Sequence, residues 1–264
     1  MKDVFNNPTI KDIYDEICMR KDVYNIIDVN NESDDIVRLK HNSDKNVFAF
    51  PSIVGYGYVY IYLSKLINDY SFYALNFIDD EEVINQYVNS ITNINKDQPI
   101  KLLGYSAGGR LSFDVAKALE KAGYEVSDII VVDAGVSKVM DDDALEDAKS
   151  HVFSSVKSFL NLSVFYNLSQ KDKDSMGEKI INTCEAYMKY DTENITTGKI
   201  NSNIHVITSA EDSWEEGHYD YLLKWKEHTT KEVLVYNGYG KHEDMMVSPY
   251  VDKNAELINK ILNL

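Results

Sequence analysis

Short apolar runs alternate with amphipathic helical stretches along most of this chain. Seven runs of four or five residues have the Val, Ile and Phe content that is typical of buried strands. They cover residues 35–39, 46–50, 71–75, 100–103, 129–132, 204–208 and 233–236. This alternation predicts an α/β fold in which a mostly parallel central sheet is covered by helices on both faces.

One long interval lacks strand patterns. Between about residues 138 and 199, only helical patterns occur, over residues 142–160 and 174–190. Because this interval separates two predicted strands, we interpret it as an inserted helical lid over a site at the carboxyl edge of the sheet. Its apolar residues either line a substrate cavity or pack the lid against the body, and they are Phe153, Phe159, Leu160, Phe165, Tyr166, Tyr187 and Tyr190.

The fourth predicted strand leads into a glycine-bounded serine, Gly104-Tyr105-Ser106-Ala107-Gly108-Gly109, and a helical stretch follows. A strand-to-helix turn of this kind projects the serine hydroxyl above the sheet, and it is so tight that only glycine fits two residues to either side. The helix start also offers free N–H groups that can stabilise an oxyanion. Ser106 is therefore the candidate nucleophile of a serine hydrolase or acyl transferase, and Ala107 supplies a candidate oxyanion amide. The alternative interpretation is a turn without chemistry.

A serine nucleophile needs a histidine base and an orienting carboxylate, which follow it in this fold in the order Asp or Glu, then His. His242 lies after the last predicted strand, in a loop that contains Gly238 and Gly240. This is where the fold delivers its general base, so His242 is the candidate. The other five histidines lie in polar, helical or strand contexts.

Two aspartates compete for the role of the acid. Asp133 ends the strand that follows the nucleophile's helix, and Asp212 follows the next predicted strand. Many hydrolases of this fold take the acid from the later strand, whereas Asp133 would lie beside Ser106 at the carboxyl edge of the sheet. Either carboxylate could instead cap a turn. The pattern alone leaves the two open.

The loop after the second predicted strand is a second candidate element. The strand breaks at Pro51, and Gly55 and Gly57 follow before a helix. In this fold that loop supplies the second oxyanion N–H, which places the candidate amide near Ile53. The alternative is that the two glycines only turn the chain.

Composition narrows the classes of function. The chain has 264 residues and 44% hydrophobic content, enough for one α/β domain with a full core. A net charge of -16 argues against a nucleic-acid partner. Cys18 and Cys184 have no metal-binding spacing, and two unpaired cysteines fit a reducing cytoplasm. No signal peptide or apolar stretch of about 20 residues is found, so we expect a cytoplasmic protein without a membrane partner.

Taken together, five motifs resemble the terminal thioesterase domains of nonribosomal peptide synthetases. They are Phe-Ala-Phe-Pro at 48–51, Gly-Tyr-Gly at 55–57, Gly-Tyr-Ser-Ala-Gly-Gly at 104–109, Val-Val-Asp at 131–133 and Gly-Lys-His-Glu-Asp-Met at 240–245. The resemblance runs from about residue 35 to the carboxyl end and is weak through the lid. It implies the α/β-hydrolase fold, with Asp133 as the acid and Ile53 as the loop amide.

The resemblance also implies a reaction. A peptidyl or acyl chain would pass from a carrier protein's phosphopantetheine thioester to Ser106, and macrocyclisation or hydrolysis would release it. No metal and no dissociable cofactor would be required. Two alternatives remain: an external (type II) thioesterase or general serine esterase, and a noncatalytic carrier-docking module.

The amino-terminal segment carries a further resemblance. Residues 6–17 resemble the last helix of a peptidyl carrier domain, although Pro8 with Ile10, Ile13 and Ile17 also fits an ordinary amphipathic helix. The expected organisation is therefore a carrier helix and the start of a linker in residues 1–20, a linker in residues 21–34 and the thioesterase domain in residues 35–264. The expected partner is an upstream peptidyl carrier domain.

Overall fold

A seven-stranded sheet forms the centre of the computed structural model, which describes residues 35–95, 98–137, 146, 149–150, 169–210 and 218–264. The strands are β1 (Ile36–Lys40), β2 (Asn46–Phe50), β3 (Ser71–Leu75), β4 (Ile100–Tyr105), β5 (Val126–Val132), β6 (Asn203–Thr208) and β7 (Val233–Asn237). Each of the seven predicted strands is confirmed, with shifts of up to three residues at the ends.

The strand order is β1-β3-β2-β4-β5-β6-β7. β1 pairs with β3 in antiparallel orientation, and the five other pairings are parallel. The predicted mostly parallel sheet is therefore confirmed. Because β2, β4 and β5 are adjacent and parallel, the segments that follow their last residues meet at one edge of the sheet. The turn at Ser106, the loop at Pro51 and the residue Asp133 all lie at this carboxyl edge.

Within the described residues, six α-helices accompany the sheet. They are α1 (Ile61–Leu66), α2 (Val83–Ile94), α3 (Ala107–Lys121), α4 (Gln170–Glu193), α5 (His218–Leu223) and α6 (Val251–Leu262). In α6, the buried positions 251, 254, 255, 258, 261 and 262 recur every three or four residues, so one face of the helix packs on the sheet. Among the described residues, no helix combines the length and apolar content needed to cross a membrane.

Successive side chains of the strands enter two separate cores because side chains alternate across a strand. On one face, Leu102 and Val131 pack with residues of α2 and α3. On the other face, Leu103 and Ile130 pack with residues of α1 and α6. Both faces of the sheet are therefore covered.

Helix α4 is the described part of the predicted lid. Its residues Ile180, Cys184 and Tyr187 are fully buried, and the Tyr187 ring stacks on Phe77 at a centroid distance of 4.2 Å. Tyr187 therefore packs the helix against the body, which was one of the two interpretations. Most of the rest of the predicted lid lies outside the described residues, including Phe153, Phe159, Leu160, Phe165 and Tyr166, as do the predicted carrier helix and linker in residues 1–34.

Candidate active site

Ser106 occupies a strained turn between β4 and α3. Its backbone has φ 57° and ψ −129°, a region that residues other than glycine rarely adopt. The N–H of Ser106 donates to the carbonyl of Val132 (3.0 Å), and its own carbonyl accepts from the N–H of Gly109 (2.9 Å). The first bond holds the turn against β5, and the second closes the turn at the start of α3.

Two glycines make this turn possible. A Cβ on Gly104 would lie 2.1 Å from the carbonyl oxygen of Gly108, and a Cβ on Gly108 would lie 2.3 Å from the carbonyl oxygen of Phe50. Real Cβ atoms do not approach backbone this closely, so each position requires glycine. The second contact also shows that the first turn of α3 lies directly against the end of β2.

Ser106, His242 and Asp133 form one chain of hydrogen bonds. Nε2 of His242 lies 3.0 Å from Oγ of Ser106, and Nδ1 lies 2.8 Å from Oδ2 of Asp133. Because a carboxylate only accepts hydrogen bonds, Nδ1 carries the proton that is donated to Asp133. Nε2 of the neutral ring is then free to accept the proton of the serine hydroxyl. The structure thus brings together three residues that are distant in the chain.

Asp133 is held in place by the neighbouring strand. It is a positive-φ residue (47°), and its N–H donates to the carbonyl of Ile207 at 2.7 Å. Its Oδ1 accepts from the N–H of Ser209 at 2.8 Å, which leaves Oδ2 for His242. The side chain is only 2% exposed. Asp212, the competing acid, lies outside the described residues.

The two candidate oxyanion amides lie on adjoining segments. Ala107 is the first residue of α3, where backbone N–H groups have no partner within the helix. Ile53 lies in the turn after β2 that is closed by the bond from the N–H of Gly55 to the carbonyl of Ser52 (2.8 Å), so the amide of Ile53 is not used to close the turn. The contact between Gly108 and Phe50 brings these two segments together.

The loop that carries His242 is bonded to two residues that sequence reasoning did not single out. The hydroxyl of Tyr105 donates to the carbonyl of His242, and the amide of Asn254 bonds to the loop backbone at Tyr239 and Met245. One signal for Asn254 was available, because it is a polar residue at a position of α6 that the apolar periodicity predicts to be buried. Tyr105 gave no such signal.

Tyr105 keeps its proton at any ordinary pH. Burial raises the pKa of its phenol, and the nearby carboxylates of Asp133, Glu243 and Asp244 raise this pKa further. The hydroxyl is therefore a permanent donor to the carbonyl of His242.

A largely buried ion pair joins α4 to α3. The guanidinium of Arg110, one turn after Ser106, donates through Nε and Nη2 to the two carboxylate oxygens of Asp191. Burial lowers the pKa of Arg110, and the charge and hydrogen bonds of Asp191 raise it by more, so the guanidinium stays charged. Beside this pair, Tyr190 donates to Oδ2 of Asp114 at 2.8 Å. These bonds fix the second half of α4 to α3, the helix that begins after Ser106. Sequence reasoning missed this pair because its partners are 81 residues apart.

Within the part of the chain that the structure describes, no three His, Cys, Asp or Glu side chains lie together as a metal site.

Comparisons with known proteins match most of this chain. A family model described as "Thioesterase domain" matches residues 45–262. Bacitracin synthase 3 of Bacillus licheniformis is 30% identical over 99% of this chain, and surfactin synthase subunit 3 of Bacillus subtilis (strain 168) is 30% identical over 87%. The chain spans only 4% and 17% of the length of these two relatives.

One solved structure is similar to this chain over nearly the whole length of the solved domain. The thioesterase domain SrfTE, described as cyclising the lipopeptide antibiotic surfactin, superposes with a TM-score of 0.75 at 28% identity. The superposition covers 89% of this chain and 99% of that domain.

Proposed function

The chain belongs to the thioesterase domain family, and from this premise we propose that it releases a peptidyl or acyl chain from the phosphopantetheine thioester of a carrier protein. The acyl chain passes first to Ser106. One observation carries the proposal: the hydrogen-bonded chain of Ser106, His242 and Asp133 at the carboxyl edge of the sheet, in a domain that resembles the terminal domains of peptide synthetases.

The first half of the reaction uses His242 as the general base. Oγ of Ser106 forms a bond to the thioester carbonyl carbon while its proton passes to Nε2 of His242. The tetrahedral intermediate then collapses, the carbon–sulfur bond breaks, and the departing pantetheine sulfur takes the proton from His242. Asp133 holds the ring in the required tautomer and stabilises the imidazolium that forms.

The amides of Ala107 and Ile53 are assigned to the oxyanion. Negative charge develops on the carbonyl oxygen in the tetrahedral intermediate, and two fixed N–H donors stabilise it without reorganisation. The proximity of the loop after β2 to the first turn of α3 supports this assignment. The reaction draws on side chains and backbone amides alone, and the phosphopantetheine arrives with the substrate.

The second half of the reaction decides the product. His242 takes a proton from water, or from an amine or hydroxyl of the bound peptide, and this nucleophile attacks the acyl-enzyme. The bond between the acyl carbon and Oγ of Ser106 then breaks, and Oγ takes the proton back from His242, so that a linear acid or a macrocycle is released. We favour the macrocycle because the similar domain SrfTE is described as a cyclase and because a positioned internal nucleophile reaches effective molarities on the order of 10⁵ M or more.

The partner that we propose is an upstream peptidyl carrier domain. The relatives that match are synthetases many times longer than this chain, which supports its origin as one domain of such an assembly. Residues 1–20 are assigned to the last carrier helix and the start of a linker, and residues 21–34 to the linker.

The test is the release of a synthetic peptidyl-pantetheine thioester. Ser106→Ala should abolish turnover and labelling by a fluorophosphonate, and the wild type should carry one adduct, at Ser106. Ser112→Ala is the matched control, since Ser112 is fully buried in the same helix and donates to the carbonyl of Gly109 at 2.8 Å. Undiminished turnover in Ser106→Ala would refute the proposal.

The same assay separates the remaining interpretations. Faster turnover of short unrelated acyl thioesters than of peptidyl thioesters would indicate an external thioesterase. A wild-type chain that is inert toward both the thioester and the fluorophosphonate would indicate a docking module. Intact mass spectrometry of the product distinguishes a macrocycle from a linear acid.

A further inference from the structure

His242 lies on a loop and its side chain is 45% exposed, yet the proposed chemistry requires Nε2 to stay within hydrogen-bonding distance of Ser106. An exposed ring on a loop has conformational freedom unless other contacts restrict it. A misplacement of about 1 Å in such a site costs roughly 10²-fold in rate. The contacts that hold this loop are therefore part of the catalytic apparatus.

Asn254 bonds to both ends of the segment that carries His242, residues 239–245, called here the histidine loop. Its side chain is fully buried at the start of α6. Its Oδ1 accepts from the N–H of Tyr239 (2.9 Å), and its Nδ2 donates to the carbonyls of Tyr239 (2.8 Å) and Met245 (2.9 Å). Tyr239 is three residues before His242, and Met245 is three residues after it. One amide thus joins the two flanks of the loop to a helix that packs on the sheet.

Tyr105 holds the centre of the loop. Its hydroxyl donates to the carbonyl of His242, and its ring lies against the imidazole with centroids 5.2 Å apart and planes inclined by 31°. Tyr105 also directly precedes Ser106 in the chain, so the nucleophile and the base are linked by a second connection besides the hydroxyl–imidazole bond.

Tyr105 is itself fixed to the sheet. Its N–H donates to the hydroxyl of Tyr60 (3.0 Å), which in turn donates to the carbonyl of Phe50 (2.5 Å). Tyr60 and Tyr105 are both buried. A movement of the Tyr105 backbone would therefore break bonds within the core, which makes this residue a rigid support.

We propose that Tyr105 and Asn254 are positioning residues for His242: Asn254 closes the loop, and Tyr105 fixes the backbone and the ring face of the histidine relative to Ser106. The inference rests on the proposed role of His242 as general base. It assigns the two residues an effect on acyl transfer to Ser106, and no effect on the affinity for the substrate.

Matched control variants exist for both residues. The hydroxyl of Tyr236 lies 3.1 Å from Nδ1 of His205, so Tyr236→Phe also removes a tyrosine–histidine hydrogen bond on the same face of the sheet, at a histidine that bonds to Asp128 and not to Asp133. Asn259 lies in the same helix as Asn254, and its Nδ2 donates to the carbonyl of Leu66 at 2.9 Å. Asn259→Ala therefore removes a bond between α6 and the end of α1, away from His242.

The experiment measures three quantities for each variant: the second-order rate of fluorophosphonate modification of Ser106, and kcat and KM for a peptidyl-pantetheine thioester. Tyr105→Phe should lower the modification rate and kcat by roughly three- to tenfold, the factor expected from one neutral hydrogen bond. Asn254→Ala should lower both by roughly 10²-fold. KM should not change, and Tyr236→Phe and Asn259→Ala should keep the wild-type rates.

A spectroscopic readout separates positioning from loss of stability. In the wild type, the Nδ1 proton that bonds to Asp133 should give a downfield proton resonance. This resonance should broaden in Tyr105→Phe and persist in Tyr236→Phe at temperatures where both variants are folded. If Asn254→Ala does not fold, the comparison of Tyr105→Phe with its control Tyr236→Phe tests the inference.

Equal modification rates in Tyr105→Phe and Tyr236→Phe, or a change confined to KM, would overturn the inference. His242→Ala keeps this failure distinct from that of the proposed function. If His242→Ala retains the modification rate, the proposed base is wrong. If it loses the rate while Tyr105→Phe does not, the base is right and the positioning role is wrong.

Discussion

Replacing Asp133 by asparagine changes one oxygen into an NH₂ group at the centre of the hydrogen-bonded chain. Asp133 accepts from the N–H of Ser209 and from Nδ1 of His242, each at 2.8 Å. Asparagine has only one oxygen. If this oxygen keeps the bond to Ser209, the NH₂ group faces Nδ1 and donates to it, so the imidazole proton moves to Nε2. A protonated Nε2 cannot take the proton of Ser106.

The expected loss in turnover is about 10⁴-fold, the typical cost of this tautomer change in a serine triad. At about 1.36 kcal/mol per tenfold, four decades correspond to a rise of about 5.4 kcal/mol in the activation free energy. The fold should persist, because the backbone bond from Asp133 to Ile207 remains.

The assay is the steady-state release of a peptidyl-pantetheine thioester. The control is a variant at a second aspartate, which lies in β5, the strand that Asp133 follows. Asp128 also bonds to a histidine, with Oδ1 3.1 Å from Nε2 of His205, but it lies toward the other end of β5. Asp128→Asn therefore removes an aspartate–histidine pair without touching the candidate site, and it should turn over at the wild-type rate. Normal turnover in Asp133→Asn would refute the assignment, and a large loss in Asp212→Asn instead would move the acid to the strand that follows.

Three further outcomes are expected. Gly108→Ala should lose most of its reactivity toward a fluorophosphonate, because the added Cβ meets the carbonyl of Phe50 at 2.3 Å and must displace the backbone next to the oxyanion amides. Asp191→Asn should lower the free energy of unfolding by about 3 kcal/mol in urea titrations, the low end of the range for a buried pair, because it leaves the largely buried charge of Arg110 without its partner. Burial raises the pKa of Asp128, but its hydrogen bonds to neighbouring side chains lower it by more, so the folded pKa lies below the ordinary value. The stability that this group contributes should therefore be complete above about pH 4 and disappear as the pH falls further, and thermal melts of wild type and Asp128→Asn should converge in acid.

The strands and the order of the site residues were accessible from the sequence because both depend on local patterns. Apolar runs identify buried strands, and the glycine-bounded Ser106 and the glycine-containing loop of His242 have positions that the fold imposes. Even so, β5 begins at Val126 and not at residue 129. The polar Asp128 interrupts the apolar pattern there, and only the neighbouring strands supply the Lys101 and His205 side chains that allow it to be buried.

The contacts that depend on distant segments were not accessible. The sequence pattern does not distinguish Asp133 from Asp212 as the acid. The strand order determines which carboxylate lies beside His242, and Asp133 and His242 are 109 residues apart in the chain. Arg110 and Asp191 belong to helices whose polar residues all look solvent-exposed in a one-dimensional pattern. Asn254 is a polar residue on an apolar helix face, and periodicity does not show which backbone groups such an amide will meet.

The position of Asn254 in the chain has a consequence for biosynthesis. Chains are made from the amino terminus, and each domain generally folds as a unit. The strands that position Ser106 and Asp133 are synthesised before the histidine loop, whereas α6, which closes that loop through Asn254, is synthesised after it. Under the proposed mechanism, a nascent chain therefore gains acyl-transfer activity only after α6 has been made and Asn254 has closed the loop that carries His242.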